Sequence, residues 1–207
     1  MLFTEIEELT PGAVVLRGAV ADSAESLLAE LPQIAARSSF RRVMTPTGEP
    51  MSVEMTNCGA VGWVSDRRGY RYEEIDPVSG RAWAVMPESF RQLAARVAKE
   101  AGYARYEPDT CLINKYSIGS KMGMHQDRDE RDFTQPIVSV SLGLPIMFKF
   151  GGATRSGATT KVQLQHGDVV VFGGAARLAY HGVGTLRKGE HPLTGPVRYN
   201  LTFRVAR

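Results

Sequence analysis

The fold class is decided by residues 136–152, PIVSVSLGLPIMFKFGG. The apolar side chains of this stretch fall on every second position: Val138, Val140, Leu142 and Leu144, then Ile146, Phe148 and Phe150. Successive side chains of a β-strand point to opposite faces, so a period of two predicts strands and not a helix. Gly151 and Gly152 then predict a turn.

The sequence on either side of this stretch continues the strand pattern. In CLINKY, Leu112, Asn114 and Tyr116 share one face. Residues 161–174, KVQLQHGDVVVFGG, predict a hairpin about Gly167 and Asp168, and VRYNLTFRVAR predicts a closing strand. Short strands at roughly even spacing are typical of a β-sandwich or barrel.

Two amphipathic helices are predicted, both in the N-terminal half. Residues 22–37 open with a D-x-x-E capping pattern, Asp22 and Glu25, and contain Pro32, which we expect to kink or divide the helix. The second helix is expected from Pro87 to a stop at Gly102. Helices beside a mostly β core indicate an α+β fold class.

Composition points to one ordinary globular domain spanning residues 1–207. The chain is 43% hydrophobic and 23% charged, with a net charge of +3. That balance excludes a disordered or collagen-like chain and tolerates a polyanionic partner without requiring one. Cys58 and Cys111 form no metal-binding or disulfide pattern, and no run is long enough to span a membrane. We therefore expect a cytoplasmic protein with no membrane partner, and a monomer.

A candidate metal site centres on MHQDRDE. His125 and Asp127 are two residues apart, so on an extended segment both side chains leave the same face and can bind one metal ion. One further histidine would complete a 2-His-1-carboxylate triad, which leaves open positions for a ferrous oxygenase. Spacing does not choose among the remaining histidines, which are His166, His181 and His191.

The closing strand offers a candidate site for an anion. Its polar residues share one face: Arg198, Asn200, Thr202 and Arg204. Two arginines on the inward face of a barrel would be costly to bury unpaired, and a dicarboxylate would satisfy them. The alternative is that this face is exposed to solvent and the arginines keep the protein soluble.

Residues 40–85 combine aromatic and basic side chains. Within GWVSDRRGYRYEEIDP, Trp63, Tyr70 and Tyr72 alternate with arginines, as in surfaces that stack nucleobases and contact phosphates. The alternative is an ordinary solvated hairpin.

Several motifs, in order along the chain, resemble the AlkB family of iron(II)- and 2-oxoglutarate-dependent dioxygenases. They are NCGAVGW, CLINKY, MHQDRDE, PIVSVSLGLP, HGDVVVFGG, YHG and RYNLTFR. The resemblance implies a double-stranded β-helix, or jelly-roll, core with N-terminal helices and residues 40–85 as a nucleotide-recognition lid. One departure is Phe172, where we expect tryptophan, and which should alter packing more than chemistry.

The resemblance also assigns residues. It implies iron(II) ligands at His125, Asp127 and His181, with catalysis at the same three residues. It implies 2-oxoglutarate contacts at Asn114, Tyr116, Arg198, Asn200 and Arg204. It implies substrate contacts at Trp63, Tyr70, Tyr72, Asp129 and Arg155.

The activity implied is oxidative demethylation of N-alkylated bases such as 1-methyladenine and 3-methylcytosine. Decarboxylation of 2-oxoglutarate with O2 would be coupled to methyl hydroxylation and formaldehyde release. Single-stranded DNA is the expected partner, with double-stranded DNA and RNA as further candidates. Two alternatives remain: a 2-oxoglutarate oxygenase acting on a substrate other than nucleic acid, and a non-catalytic nucleic-acid-binding β-domain.

Overall fold

A computed structural model describes residues 5–207. Its two α-helices are α1, Ala24–Arg37, and α2, Glu88–Glu100. The strands of the described chain are β1 Ile6–Thr10, β2 Ala13–Leu16, β3 Arg41–Met44, β4 Pro50–Gly59, β5 Gly62–Asp66, β6 Gly69–Glu73, β7 Thr110–Ser117, β8 Met122–His125, β9 Ile137–Gly143, β10 Ile146–Phe150, β11 Thr160–Leu164, β12 Val169–Phe172, β13 His181–Val183 and β14 Val197–Arg204.

These strands form two sheets and a separate hairpin. The large sheet has the order β1-β2-β12-β9-β14-β7-β4-β3, and the small sheet has the order β11-β10-β13-β8. The pairs within both sheets are antiparallel, and β5 pairs with β6 as the β5–β6 hairpin, residues 62–73. Two facing antiparallel sheets are the expected double-stranded β-helix core with helices on one side.

The large sheet buries both of its faces because its strands carry apolar residues on each. On β7, Ile113 packs in the layer under α1 and α2, whereas Leu112 and Tyr116 pack between the two sheets. The helices supply Leu27 and Phe90 to the outer layer. The polar face of β14 is therefore enclosed between the sheets, and the interpretation of this face as exposed to solvent is wrong.

The predicted β11–β12 hairpin is wrong, although its turn is present. The two strands lie in different sheets: β11 pairs with β10, and β12 pairs with β9 and β2. Gly167 has a φ of +88°, and the Asp168 carboxylate accepts the backbone N–H groups of Gln165 and Gly18, each at 2.9 Å. This local turn lets the chain cross from one sheet to the other, which a period-two pattern does not distinguish from a hairpin.

The predicted start of the first helix is also wrong. Asp22 lies in a 3-10 turn, residues 21–23, and α1 begins after Ser23, whose side chain makes no capping bond. α1 continues through Pro32, so the proline does not divide it. The second helix begins after Pro87 and ends at Glu100, just before Gly102, as predicted. Within residues 5–207, no helix is long and apolar enough to cross a membrane.

Candidate active site

A cavity of about 400 Å³ opens between the two sheets, beside the β5–β6 hairpin. Every residue assigned by the resemblance to iron, 2-oxoglutarate or substrate lines it. Strands from both sheets, the β5–β6 hairpin and the segment after β8 therefore bring side chains from residues 63 to 204 into one space.

Three of these side chains could hold a metal ion. His125 ends β8 and His181 begins β13, and the two residues are direct partners across these antiparallel strands. Ligand atoms of His125, Asp127 and His181 lie within 4.8 Å of one another. The structure thus brings His181, and not His166 or His191, to the His125–Asp127 pair. The other two histidines contact each other, with ring centroids 4.4 Å apart.

Both histidines of this group are oriented through their Nδ1 atoms. His125 Nδ1 lies 2.9 Å from the Gly123 carbonyl oxygen, and His181 Nδ1 lies 3.1 Å from that of Ala179. Nδ1–H donation to these carbonyls leaves the Nε2 lone pairs for a metal. Burial, together with the neighbouring His125, lowers the pKa of His181 to about 4, so this ring is neutral at pH 7.

Asp127 supplies the charged ligand atom. Burial alone would raise the pKa of this carboxyl, but Arg204 and the two histidines bring it below its usual value. Arg204 donates to Asp127 Oδ2 from Nε at 3.2 Å and from Nη2 at 2.8 Å. One carboxylate and two imidazoles are a donor set that suits iron(II) and leaves coordination positions open.

Arg198 is a buried cation with no counter-ion among residues 5–207. It is 2% exposed, and its Nε and Nη1 atoms have no hydrogen-bond partner within the described chain. Nη2 donates to Ser141 Oγ at 2.9 Å, and the guanidinium lies 4.9 Å from the Tyr116 ring centroid. Burial lowers the pKa of Arg198. Such a group is costly unless an anion binds it, so its surroundings fit one carboxylate of 2-oxoglutarate.

Two amides line the same cavity as Arg198 and the candidate metal ligands. Asn114 and Asn200 are register partners on β7 and β14, and Asn114 Nδ2 donates to Asn200 Oδ1 at 3.2 Å. Asn200 Nδ2 donates to Ser139 Oγ at 2.8 Å. These bonds fix both amides on the floor of the cavity, where a bound dicarboxylate would lie.

Two further residues of the site, Glu130 and Arg177, were missed by sequence reasoning. Glu130 accepts a hydrogen bond from Arg177 Nη2 at 3.0 Å and pairs with Arg204 Nε at 3.2 Å. Arg177 Nη1 donates to the carbonyl oxygen of Asp127 at 2.7 Å. The acidic run DRDE contained the signal for Glu130, but charged residues in a loop usually indicate solvent exposure.

The aromatic residues of the β5–β6 hairpin face the cavity mouth. The Trp63 and Tyr70 rings stack directly on each other, with centroids 5.4 Å apart and planes 16° apart. A base inserted between them would require a separation of about 7 Å, twice the van der Waals thickness of a ring. Trp63 Nε1 donates to Asp129 Oδ2 at 2.8 Å, which ties the hairpin to the segment that carries Asp127.

Two other residues named from the sequence occupy defined positions. Arg155 is exposed at the cavity rim, with its guanidinium 5.7 Å from the Tyr180 ring centroid. Phe172 packs against His181, with ring centroids 4.9 Å apart. Phe172 therefore supports a candidate metal ligand through packing.

Comparisons with known proteins agree with this geometry. The 2OG-Fe(II) oxygenase superfamily profile matches residues 12–204. The "Alpha-ketoglutarate-dependent dioxygenase AlkB" proteins of Salmonella typhimurium and Escherichia coli are each 52% identical over 97% of this chain and 93% of their own length. The solved structure of OsALKBH1 superposes with a TM-score of 0.85 at 28% identity, covering 97% of this chain and 99% of that one. The expected jelly-roll fold and the iron(II), 2-oxoglutarate and O2 requirement are confirmed, and the chain belongs to the AlkB family of the 2-oxoglutarate- and iron(II)-dependent oxygenases.

Proposed function

We propose that this protein is an oxidative demethylase for N-alkylated bases in nucleic acid, with 1-methyladenine and 3-methylcytosine in single-stranded DNA as its substrates. The observation that carries this proposal is the unpaired Arg198 guanidinium in the same cavity as the candidate metal triad, beneath an aromatic hairpin. A binding module would have no use for this combination of an anion site and a metal site.

In this proposal the cosubstrate and metal are held by the cavity floor. His125, Asp127 and His181 hold iron(II), which supplies the oxidising chemistry when bound with 2-oxoglutarate and O2. Arg198 binds the carboxylate far from the metal, and Tyr116 packs against its guanidinium. Asn114, Asn200 and Arg204 orient the rest of the dicarboxylate. Arg204 is already paired with Asp127, so in this proposal it contacts both this metal ligand and the cosubstrate.

The substrate base is held at the mouth. Trp63, Tyr70 and Tyr72 offer aromatic faces and edges, and Asp129 offers a carboxylate for an exocyclic amine or a cationic methylated ring. Because Trp63 and Tyr70 contact each other, the base either separates them or stacks on the outer face of Trp63. Trp63 occupies Asp129 Oδ2, so Oδ1 is the oxygen that accepts from the base.

The rim suits a nucleic acid backbone. Lys121, Arg128 and Arg155 are exposed around the cavity and could contact phosphates.

We include in the proposal that residues 1–207 act as one monomeric catalytic domain. Of the region 40–85, β3 and β4 belong to the large sheet, so the β5–β6 hairpin is the part that serves as the lid.

A single incubation tests the proposal. The protein is mixed with iron(II), 2-oxoglutarate, ascorbate and air, together with a single-stranded oligonucleotide bearing one 1-methyladenine. The mass of the oligonucleotide and the release of formaldehyde and succinate are followed. We expect loss of one methyl group with equimolar formaldehyde. His125→Ala, which removes one candidate ligand, is the inactive control.

The other outcomes separate the alternatives. Succinate without demethylation of any methylated DNA or RNA oligonucleotide would indicate an oxygenase with a different substrate. Binding of the oligonucleotide without succinate or formaldehyde would support a non-catalytic binding domain. Matched substrates in single-stranded DNA, double-stranded DNA and RNA rank the three nucleic acids.

A further inference from the structure

A series of buried polar contacts runs from the β5–β6 hairpin to the candidate metal ligands. The Tyr72 hydroxyl donates to Glu130 Oε1 at 2.6 Å. The same carboxylate pairs with Arg204 Nε at 3.2 Å, and Arg204 Nη2 donates to Asp127 Oδ2 at 2.8 Å. Glu130, Arg204 and Asp127 are 6%, 5% and 8% exposed. Water therefore screens these contacts little.

Glu130 is the centre of this arrangement. Arg177 donates to its second carboxylate oxygen at 3.0 Å and to the Asp127 main-chain carbonyl at 2.7 Å. Glu130 therefore anchors both arginines that contact Asp127, one at the side chain and one at the main chain. None of these contacts joins Glu130 to His125 or His181, so any effect of Glu130 on the metal passes through Arg204 and Arg177.

We propose that Glu130 is a positioning residue that couples the position of the β5–β6 hairpin to the metal ligand Asp127, through Tyr72 on one side and Arg204 on the other. The part of this inference that concerns substrate rests on the proposed function, in which a methylated base moves the hairpin. Coupling between two sites is reciprocal: if hairpin contacts alter metal and 2-oxoglutarate affinity, loading of the metal site alters nucleic acid affinity by the same factor.

The first experiment needs no nucleic acid. Tyr72→Phe removes the hydroxyl that links the hairpin to Glu130 and leaves the ion pairs of Glu130 intact. Iron(II) and 2-oxoglutarate are titrated into the protein without oxygen, and the visible charge-transfer absorption of the complex is recorded. We expect affinity at least about fivefold weaker than in the parent protein, with a shifted absorption band.

Tyr103→Phe is the matched control. Its hydroxyl donates to the neutral Gly12 carbonyl oxygen at 3.0 Å, outside the cavity, so this variant makes the same substitution and loses one tyrosine hydrogen bond that has no link to the site. Its affinity and absorption band should equal those of the parent. Parent-like values in Tyr72→Phe would overturn the coupling, as would equal losses in both variants.

The second experiment adds the substrate. The dissociation constant of a single-stranded oligonucleotide bearing 1-methyladenine is measured with and without Mn(II) and 2-oxoglutarate, a combination that does not turn over. We expect loading to change affinity in the parent and to have much less effect in Tyr72→Phe. Equal changes in both proteins would refute the coupling. If the parent does not bind the oligonucleotide at all, the proposed substrate is wrong, and the first experiment still decides whether the hydrogen bond from Tyr72 to Glu130 affects the metal site.

Discussion

At the scale of single residues, the two inward arginines of β14 differ in what they contact. Arg204 is paired with Asp127 and Glu130, and these carboxylates raise its pKa although burial alone would lower it. Arg198 lacks any such partner among the described residues. Arg204 is thus neutralised by carboxylates of the folded protein itself, whereas Arg198 is the guanidinium that we propose binds a ligand carboxylate.

This difference predicts opposite effects of the same substitution. Arg198→Met replaces an uncompensated buried charge with an apolar side chain, so we expect unchanged or higher unfolding free energy and loss of detectable 2-oxoglutarate binding. Arg204→Met leaves the buried Asp127 carboxylate without its arginine partner, whereas Glu130 keeps Arg177, and should cost about 3–5 kcal/mol of stability. Urea unfolding and isothermal titration with 2-oxoglutarate and Mn(II) measure both properties. Strong destabilisation by Arg198→Met would show that the cation is satisfied within the protein.

Single residues of the site also show which features the sequence predicts well. The H-x-D spacing and the alternation on β14 predicted which side chains share a face, because these are local properties of an extended chain. The choice of His181, and the recruitment of Glu130 and Arg177, depends on which strands become neighbours. That information lies in contacts between residues far apart in sequence, which spacing does not contain.

At the scale of elements, the close approach of β8 and β13 positions the two histidines. Gly182 follows His181, and a Cβ atom there would lie 2.8 Å from the carbonyl oxygens of Gly123 and Met122. Those are backbone atoms, so the strand itself must move to make room. The absence of a side chain at this position therefore permits the two strands to bring His125 and His181 together.

Gly182→Ala should separate these strands and weaken metal binding by at least about tenfold, comparable to other disturbances of ligand orientation. Gly184→Ala is the control, because its Cβ would meet its nearest neighbour, Met147 Cβ, at an ordinary 3.6 Å. Titration with Co(II) and its visible absorption reports both affinity and geometry. Parent-like binding by Gly182→Ala would mean that the strands are not held at this distance.

A second prediction at this scale concerns Asp76, which joins the end of α1 to the segment after β6. Its carboxylate accepts from Ser38 Oγ at 2.6 Å and from Arg41 Nη2 at 2.5 Å. Burial alone would raise the pKa of Asp76, but these bonds and the Val78 N–H lower it from 3.8 to about 2. A carboxyl with a lowered folded-state pKa stabilises the protein above its unfolded-state pKa, and the contribution disappears as pH falls.

A pKa of about 2 in the folded protein, against 3.8 for the free carboxyl, corresponds to a contribution of about 2 kcal/mol at pH 7. We expect Asp76→Asn to be less stable than the parent by about this amount at pH 7 and pH 5, by about half of it at pH 3, and by almost nothing below pH 2. Urea unfolding at each pH gives the difference. A difference that is constant with pH would assign the effect to hydrogen-bond geometry and not to charge.

At the scale of the whole molecule, the sequence predicted the layers but not every connection between them. Alternating strands and two amphipathic helices indicated an α+β domain built on a β-sandwich or barrel, because burial on one face or both is recorded in residue periodicity, and the family resemblance implied the jelly-roll. The β11–β12 pair was misread since a tight turn at Gly167 and Asp168 serves equally well within a sheet or between sheets. Which sheet a strand joins is decided by packing across the whole core.

The proposal that residues 1–207 act as a single domain predicts one cooperative unfolding transition, in which the metal site and both sheets melt together. Ligands that bind only the folded state stabilise it by about 2.7 kcal/mol at one hundred times their dissociation constant. For a chain of this size each kcal/mol raises Tm by about 2–4 °C, so Mn(II) with 2-oxoglutarate should raise Tm by about 5–11 °C. Calorimetry and far-ultraviolet circular dichroism should report the same shifted midpoint. Two transitions, of which ligand raises only one, would instead divide the chain into independently folding units. Hydrogen exchange would then show whether the unit that opens separately is the β5–β6 hairpin or a larger part of the fold.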